Sequence, residues 1–211
     1  MKGLPAIRIV ASLVLGCLLL LSFPYFSLQA ESRRRRERQG DAAKVKLANE
    51  ILNIYALLKS NEVPLSDGAL LKVSKTIAVE SRKYSLDPLL VLAIMKVESR
   101  FRTRAVSLNG ARGLMQILPS VAHALSEELE IKVKKGAKGL DDPIINIKLG
   151  IYYLAQLKEQ FPELRHTLAA YHSGPSSIKA RLAKKQPIPS DYPRKVILAY
   201  RNYREQDVAT G

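Results

Sequence analysis

The sequence predicts an all-α protein, and two patterns support this fold class. Apolar residues recur every three or four positions along most of the 211 residues, which is the spacing of amphipathic helices. Several of these segments begin with proline in the first turn, often after an aspartate that can cap it. No segment alternates apolar and polar residues for long enough to indicate a strand.

Residues 1–30 have the features of an export segment. Lys2 and Arg8 precede an almost wholly apolar stretch over 9–28, and small residues follow near its end. This pattern is typical of a cleaved secretory signal, and the stretch is also long enough to remain as a membrane anchor. Lipidation of Cys17 is a third option, because Val-Leu-Gly before it loosely resembles a bacterial lipobox. All three alternatives predict an exported protein.

Residues 31–68 are predicted to contain a basic linker and an amphipathic helix. Arginines fill positions 33–36 and 38 and contribute to a net charge of +15, so we expect 32–40 to be a solvated linker. Asp41 is a plausible N-cap for a helix over 42–59. The break at 61–68 contains proline and glycine and marks the expected boundary of a domain over 69–206.

The domain over 69–206 is expected to be helical throughout. The predicted helices span 69–83, 88–100, 119–129, 143–160, 163–171, 176–184 and 193–206. Asp141 and Asp142 precede one of them and are expected to act as helix caps. Loops are predicted at 107–116, which contains Gly110 and Gly113, and at 132–139.

The cysteine and histidine content argues against metal chemistry. A single cysteine excludes a disulfide framework and a thiolate metal site. The three histidines have no paired spacing on a helix face, so zinc is not indicated. No metal and no cofactor are expected.

Glu98 is the strongest candidate for a catalytic side chain. Residues 89–95 are apolar on all sides, which indicates a buried helix, and Glu98 follows near its C-terminus. Loss of hydration and the negative end of the helix would both raise its pKa, as a general acid requires. The alternative is an exposed glutamate that pairs with Lys96 or Arg102.

The loop at 107–116 could lie beside a ligand. Its two glycines would allow the backbone to approach a ligand closely, and Gln116 could hydrogen-bond an acetamido or hydroxyl group. The alternative is a tight turn that buries Leu114 and Met115 in the core.

Several motifs occur in an order that resembles the soluble lytic transglycosylase family. They are Glu98-Ser99, Gly-Leu-Met-Gln-Ile-Leu-Pro at 113–119, and Ala-Tyr-His-Ser-Gly-Pro at 170–175, with a similar intervening helix over 140–154. The resemblance covers about residues 69–203 and implies a goose-lysozyme-like (SLT-type) helical fold. It also implies an enzyme that acts on peptidoglycan. The apolar N-terminus separately predicts export to the periplasm, with possible membrane attachment through residues 1–30 and no nucleic-acid partner.

The resemblance also implies roles for individual residues. Glu98 would act first as acid and then as base, and form a 1,6-anhydro ring on the muramic sugar. Ser99 would orient the leaving side or the acid, Gln116 and Tyr171 would bind the acetamido group and the glycan, and Tyr192 would position Glu98. The positive charge suits this substrate, since the stem peptides of peptidoglycan carry carboxylates.

The chain departs from the family pattern at His172 and Ser173, where asparagine and alanine are usual. This leaves open whether His172 is a hydrogen-bonding substitute or a solvent-facing loop residue. Two rival functions also stay open, a lysozyme-type hydrolase and a non-catalytic cell-wall-binding protein.

Overall fold

The structure is a computed structural model that describes residues 5–133 and 136–210. Side chains are described for residue 31, for 33–133 and for 136–207. The chain divides into two compact units, Met1–Ala48 and Asn49–Gly211. In the described ranges it is helical, and its only β-structure is two isolated bridges within residues 106–117.

Helix α1 spans Pro5–Ser60 without interruption, so the linker predicted at 32–40 is helical. Arg33 forms an ion pair with Glu37 one turn later at 3.1 Å. Asp41 lies inside the helix, where it pairs with Lys44, and therefore does not cap its start. Arginine, glutamate and glutamine are good helix formers, so a charged run need not be a coil.

The predicted export segment 1–30, including Cys17, lies outside the residues whose side chains are described. Among the residues that can be assessed, no helix combines the length and apolarity needed to cross a membrane.

The last three turns of α1 belong to the second unit. Ile54 and Leu58 are almost fully buried. The compact unit therefore begins at Asn49, earlier than the boundary expected at 61–68. The reason is that the apolar face of this helix supplies part of the core.

The second unit contains the helices that the sequence predicts, with small shifts at their ends. They are α2 (Asp67–Lys83), α3 (Pro88–Ser99), α4 (Pro119–Glu128), α5 (Pro143–Gln160), α6 (Leu164–Ser173), α7 (Pro175–Ala183) and α8 (Asp191–Thr210). A 3-10 helix, Gly136–Asp141, forms where a loop was expected.

Helix α3 is the centre of this unit. Residues 89–95 are all buried, as their apolar composition predicts, and the helix contacts α2 and α8. Asp87 caps its first turn by accepting a hydrogen bond from the Leu89 amide at 2.8 Å. The Tyr200 hydroxyl of α8 donates to the other Asp87 oxygen. These contacts fix α3 and thereby the position of Glu98 in its last turn.

The two aspartates before α5 have different roles. Asp142 caps the helix, with the Ile144 amide donating to its carboxylate at 2.8 Å. Asp141 was also expected to be a cap, but it accepts two hydrogen bonds from the Arg112 guanidinium at 2.8 and 3.0 Å. This bidentate pair fastens the loop after α3 to the start of α5.

Asn146 holds the same loop from within the core. Its side chain is fully buried, and its amide oxygen accepts a hydrogen bond from the Met115 amide at 2.8 Å. Its amide nitrogen donates to the carbonyls of Arg112 at 2.9 Å and Leu140 at 3.0 Å. One side chain thus satisfies three backbone groups that would otherwise be buried without partners.

Gly113 makes this close approach possible. Its φ of +81° is in a region that L-residues rarely adopt, and an added Cβ would lie 2.6 Å from Asn146 Cγ. Gly110 has a similar φ of +78°, but its Cβ would meet nothing within 4 Å. Alanine would therefore strain the backbone at both positions, but it would collide with neighbouring atoms only at Gly113.

We predict that Gly113→Ala lowers the free energy of unfolding by about 3 kcal/mol, because it adds a collision in the core to backbone strain. Gly110→Ala is the matched control and should cost about 1 kcal/mol, from strain alone. Urea denaturation of both variants measures the difference. Equal losses would show that the contact between Gly113 and Asn146 is not close enough to matter.

Candidate active site

A cleft of about 420 Å³ lies between the loop after α3 and the C-terminal end of α6. Ser107, Asn109, Ala111 and residues 116–118 of the loop line one side of the cleft, and residues 171–175 line the other. Glu98 also lines this cleft, and among its described lining residues it is the only carboxylate. In the described part of the chain, no group of three or more histidine, cysteine, aspartate or glutamate side chains is arranged to hold a metal.

Burial raises the pKa of Glu98 from its ordinary value of 4.5 to about 7. The interaction with the Tyr192 hydroxyl opposes this shift and lowers the pKa. The alternative of a surface ion pair is not observed, since Lys96 donates to Asn61 and Arg102 to the Ser99 carbonyl. Glu98 is therefore a carboxyl group that holds its proton close to neutral pH.

Tyr192 lies beside Glu98 at the start of α8. Its hydroxyl is buried and, among the described residues, makes no hydrogen bond of regular geometry. Burial, and after it the charge of the neighbouring Glu98, raises the pKa of Tyr192 well above its usual value. An otherwise unpartnered buried hydroxyl is suited to orient a neighbouring carboxyl group.

His172 packs flat against the ring of Tyr192. The two ring centroids are 4.4 Å apart and the planes are inclined by 10°. The imidazole is exposed and lines the cleft. Burial of part of the ring and the nearby Lys195 charge lower the pKa of His172 and so favour the neutral imidazole. Histidine at position 172, where the family usually has asparagine, therefore adds a ring contact with Tyr192.

Three of the predicted substrate-binding residues direct polar groups at the loop backbone. Ser99 is 1% exposed and does not line the cleft, and its hydroxyl donates to the Leu114 carbonyl at 2.8 Å. The Tyr171 hydroxyl donates to the Met115 carbonyl at 2.8 Å. The Gln116 amide nitrogen donates to the carbonyls of Ala105 and Gly113 at 3.1 and 2.9 Å.

Tyr171 and Gln116 make these backbone hydrogen bonds and still contribute to the surface of the cleft. Tyr171 and Gln116 both line it, and the structure gives the Gln116 amide oxygen no donor among the described residues. Leu114 and Met115 are buried, as the tight-turn alternative expects. The loop is thus both a core turn and a wall of the site.

Two residues important to the site had no role assigned from sequence. Tyr153 lines the cleft, and its ring centroid lies 5.5 Å from that of Tyr171. Asn146 accepts a hydrogen bond from the Met115 amide and so fixes the loop against the core. Each lies on the inner side of α5 near Ile147 and Gly150. A polar or aromatic residue on the inner side of a helix needs a partner in the core or at a site, so their positions in the helical pattern could have indicated these roles.

A sequence model of the family described as Transglycosylase SLT domain matches residues 75–190, more than half of the chain. The chain belongs to this family. The membrane-bound lytic murein transglycosylase E of Buchnera aphidicola is 31% identical over 152 residues, which cover 65% of this chain and 67% of that protein. The transglycosylase of Enterobacteria phage PRD1 is 34% identical over 100 residues, covering 47% of this chain.

Solved structures with the same fold include the 70 kDa soluble lytic transglycosylase of Escherichia coli. That chain is 25% identical, with a TM-score of 0.54, and the match covers 78% of this SLT protein and 31% of the other chain. The lysozyme-like all-α fold class is thereby confirmed. The SLT chain spans 34% of the phage relative and 30% of the membrane-bound lytic murein transglycosylase C of Mannheimia succiniciproducens.

We predict that Glu98→Gln stabilises this SLT protein more at pH 8 than at pH 4. The folded state binds the Glu98 proton more tightly than the unfolded chain, so the contribution of Glu98 to the free energy of unfolding falls as the pH rises from about 4.5 to about 7. Glutamine does not titrate, so the free energy of unfolding of the variant relative to wild type should increase by about 2–3 kcal/mol over that pH range. Urea denaturation at the two pH values measures this change. A pH-independent difference would contradict a raised pKa.

Proposed function

We propose that this chain is a peptidoglycan lytic transglycosylase that cleaves the β-1,4 bond between MurNAc and GlcNAc and forms 1,6-anhydro-MurNAc. One observation carries the proposal: the cleft contains a single carboxyl group whose pKa is raised to about 7. Family membership and the names of the relatives support the same activity.

A single carboxyl group suits a reaction in which the substrate supplies the nucleophile. Hydrolases that use two carboxylates need a second one across the scissile bond. In the first step Glu98 donates its proton to the glycosidic oxygen, and the bond from that oxygen to the anomeric carbon breaks. The N-acetyl oxygen of the same muramic sugar attacks the anomeric carbon, and Glu98 is left as a carboxylate.

In the second step Glu98 acts as a base. Its carboxylate takes the proton of the 6-hydroxyl of the muramic sugar, and the 6-oxygen attacks the anomeric carbon and displaces the N-acetyl oxygen. The anhydro ring closes, Glu98 regains its proton, and no water is consumed. A carboxyl group with a pKa near the working pH performs both transfers well.

The surrounding residues have defined parts in this proposal. Tyr192 positions the Glu98 carboxyl group, and His172 holds the Tyr192 ring by stacking. The Gln116 amide oxygen accepts from the acetamido nitrogen or a sugar hydroxyl, and the rings of Tyr153 and Tyr171 supply apolar contact to the sugars. Ser99 acts indirectly, by fixing the Leu114 carbonyl.

The domain organisation and location belong to the same proposal. Residues 69–206, together with the packed end of α1, form the catalytic domain, and residues 1–30 direct export to the periplasm and provide a route to membrane attachment. Relatives named membrane-bound lytic murein transglycosylases support attachment.

We expect the purified full chain to digest sacculi and release muropeptides with 1,6-anhydro ends. Glu98→Gln keeps the shape of the side chain but has no proton to transfer, and its rate should fall at least about a hundred-fold. Chromatography with mass analysis of the products measures both quantities.

The products separate the rival functions. Reducing ends in place of anhydro ends would identify a hydrolase. Binding to sacculi without any products would identify a non-catalytic wall-binding protein. Equal rates for wild type and Glu98→Gln would remove Glu98 from the mechanism.

We predict that Tyr192→Phe lowers turnover about ten-fold and moves the alkaline limb of the pH–rate profile to higher pH. The Tyr192 hydroxyl lowers the pKa of Glu98, so its removal raises that pKa, and the carboxyl group also loses its orientation. Tyr152→Phe is the control, because its hydroxyl bonds Glu128 away from the cleft. If the alkaline limb of Tyr192→Phe stays at the pH of the wild type, the Tyr192 hydroxyl does not interact with Glu98.

A further inference from the structure

Helix α7 contributes little to the core of the second unit. Within Pro175–Ala183 the one fully buried residue is Ile178, and the helix packs on α6. At its C-terminal end every residue of 182–187 is exposed, and we call this segment the α7 tip. A surface segment with so few core contacts is free to contact a partner.

The α7 tip has a fixed shape although it is exposed. The Lys185 amide donates to the Leu182 carbonyl at 3.1 Å, and the Gln186 amide donates to the Arg181 carbonyl at 2.8 Å. These two bonds close the helix as a Schellman motif, with Lys185 at a φ of +51°. The Arg181 guanidinium also donates to the Pro187 carbonyl at 3.1 Å. The tip is therefore a preorganised turn, which lowers the entropy cost of binding.

The tip and the helical turn before it carry positive charge that the protein does not neutralise. Lys179, Lys184 and Lys185 are exposed, and none of them forms an ion pair with any residue that the structure describes. The sequence has no aspartate or glutamate over 164–190. The three lysines are therefore available to an anionic partner.

Leu182 indicates the kind of anionic partner. It is 40% exposed and lies two positions before Lys184. A soluble polyanion would bind the lysines and leave Leu182 in water. At the surface of an anionic bilayer the tip gains from both kinds of side chain, because ammonium groups reach the lipid phosphates and a leucine reaches the start of the acyl region.

We propose that the α7 tip docks on the surface of an anionic phospholipid bilayer. Lys184 and Lys185 bind lipid phosphates, and Leu182 enters the boundary between headgroups and acyl chains. Lys179 adds attraction from one helical turn away. Each of these contacts is weak, so the docking is reversible and weakens as the ionic strength rises.

Docking of the tip would keep the cleft close to the membrane. Helix α7 begins at Pro175, which lines the cleft, and its nine residues put the tip about 14 Å away along the helix axis. The cleft would then act on the glycan nearest to the lipid. This consequence rests on the proposed function, whereas the docking itself requires no cleavage.

The test uses the full chain in vesicles and measures the tip itself, because residues 1–30 could hold the protein on any bilayer. Brief acetylation followed by peptide mass analysis gives the reactivity of each lysine. With about one third phosphatidylglycerol, Lys184 and Lys185 should react at least about five-fold more slowly than in pure phosphatidylcholine, and about 0.5 M salt should abolish this protection. Lys72 and Lys75 on α2 are exposed, and their reactivity in the same molecules should stay unchanged.

Two leucine variants test whether the partner is a bilayer. Leu182→Ser should reduce the protection of the tip lysines to less than about two-fold, because the lysines alone hold the tip weakly. Leu71→Ser on α2 is the matched control, since Leu71 is 47% exposed, and it should keep the full protection.

Four results would overturn the proposal. The first is equal reactivity of Lys184 and Lys185 in the two kinds of vesicle. The second is equal protection of Lys72 and Lys75, which would indicate general attraction of a basic protein. The third is full protection in Leu182→Ser, and the fourth is equally strong protection by soluble polyphosphate, which would indicate a polymer-binding site. None of these measurements depends on glycan cleavage, so each stays decisive if the proposed activity fails.

Discussion

Buried polar side chains that fasten the backbone of residues 112–116 determine the shape of the site. Asn146 from α5, Ser99 from α3 and Tyr171 from α6 all bond backbone groups of this short segment. Because these groups have no access to water, loss of any one partner leaves a buried donor or acceptor unsatisfied. Three helices are thereby held at fixed distances around one turn, and the turn forms a wall of the cleft beside Glu98.

This arrangement explains why Glu98 has an unusual pKa. The turn and the end of α6 cover the last turn of α3, so the carboxyl group loses hydration while still lining an open cleft. Burial alone would push the pKa higher, and the Tyr192 hydroxyl brings it back towards about 7. The two effects oppose each other, and their balance leaves a group that can both release and accept a proton near neutral pH.

Local signals in the sequence were sufficient for the helices but not for side-chain partners. The caps at Asp87 and Asp142 and the apolar run before Glu98 depend on neighbouring residues, and the structure agrees with them. The helix through 32–40 was missed because charge composition does not separate a solvated helix from a coil. The partners of Ser99 and Tyr171 lie 15 and 56 residues away, and no local pattern encodes that choice.

Several polar side chains near the cleft donate hydrogen bonds to the backbone, and this limits how the protein can recognise sugars. With the hydroxyls of Ser99 and Tyr171 used on the backbone, glycan contact must come from groups that the fold leaves over, such as the Gln116 amide oxygen and the aromatic rings. Such contacts are few for a chain without tryptophan. Additional binding energy would then have to come from outside the sugar cleft.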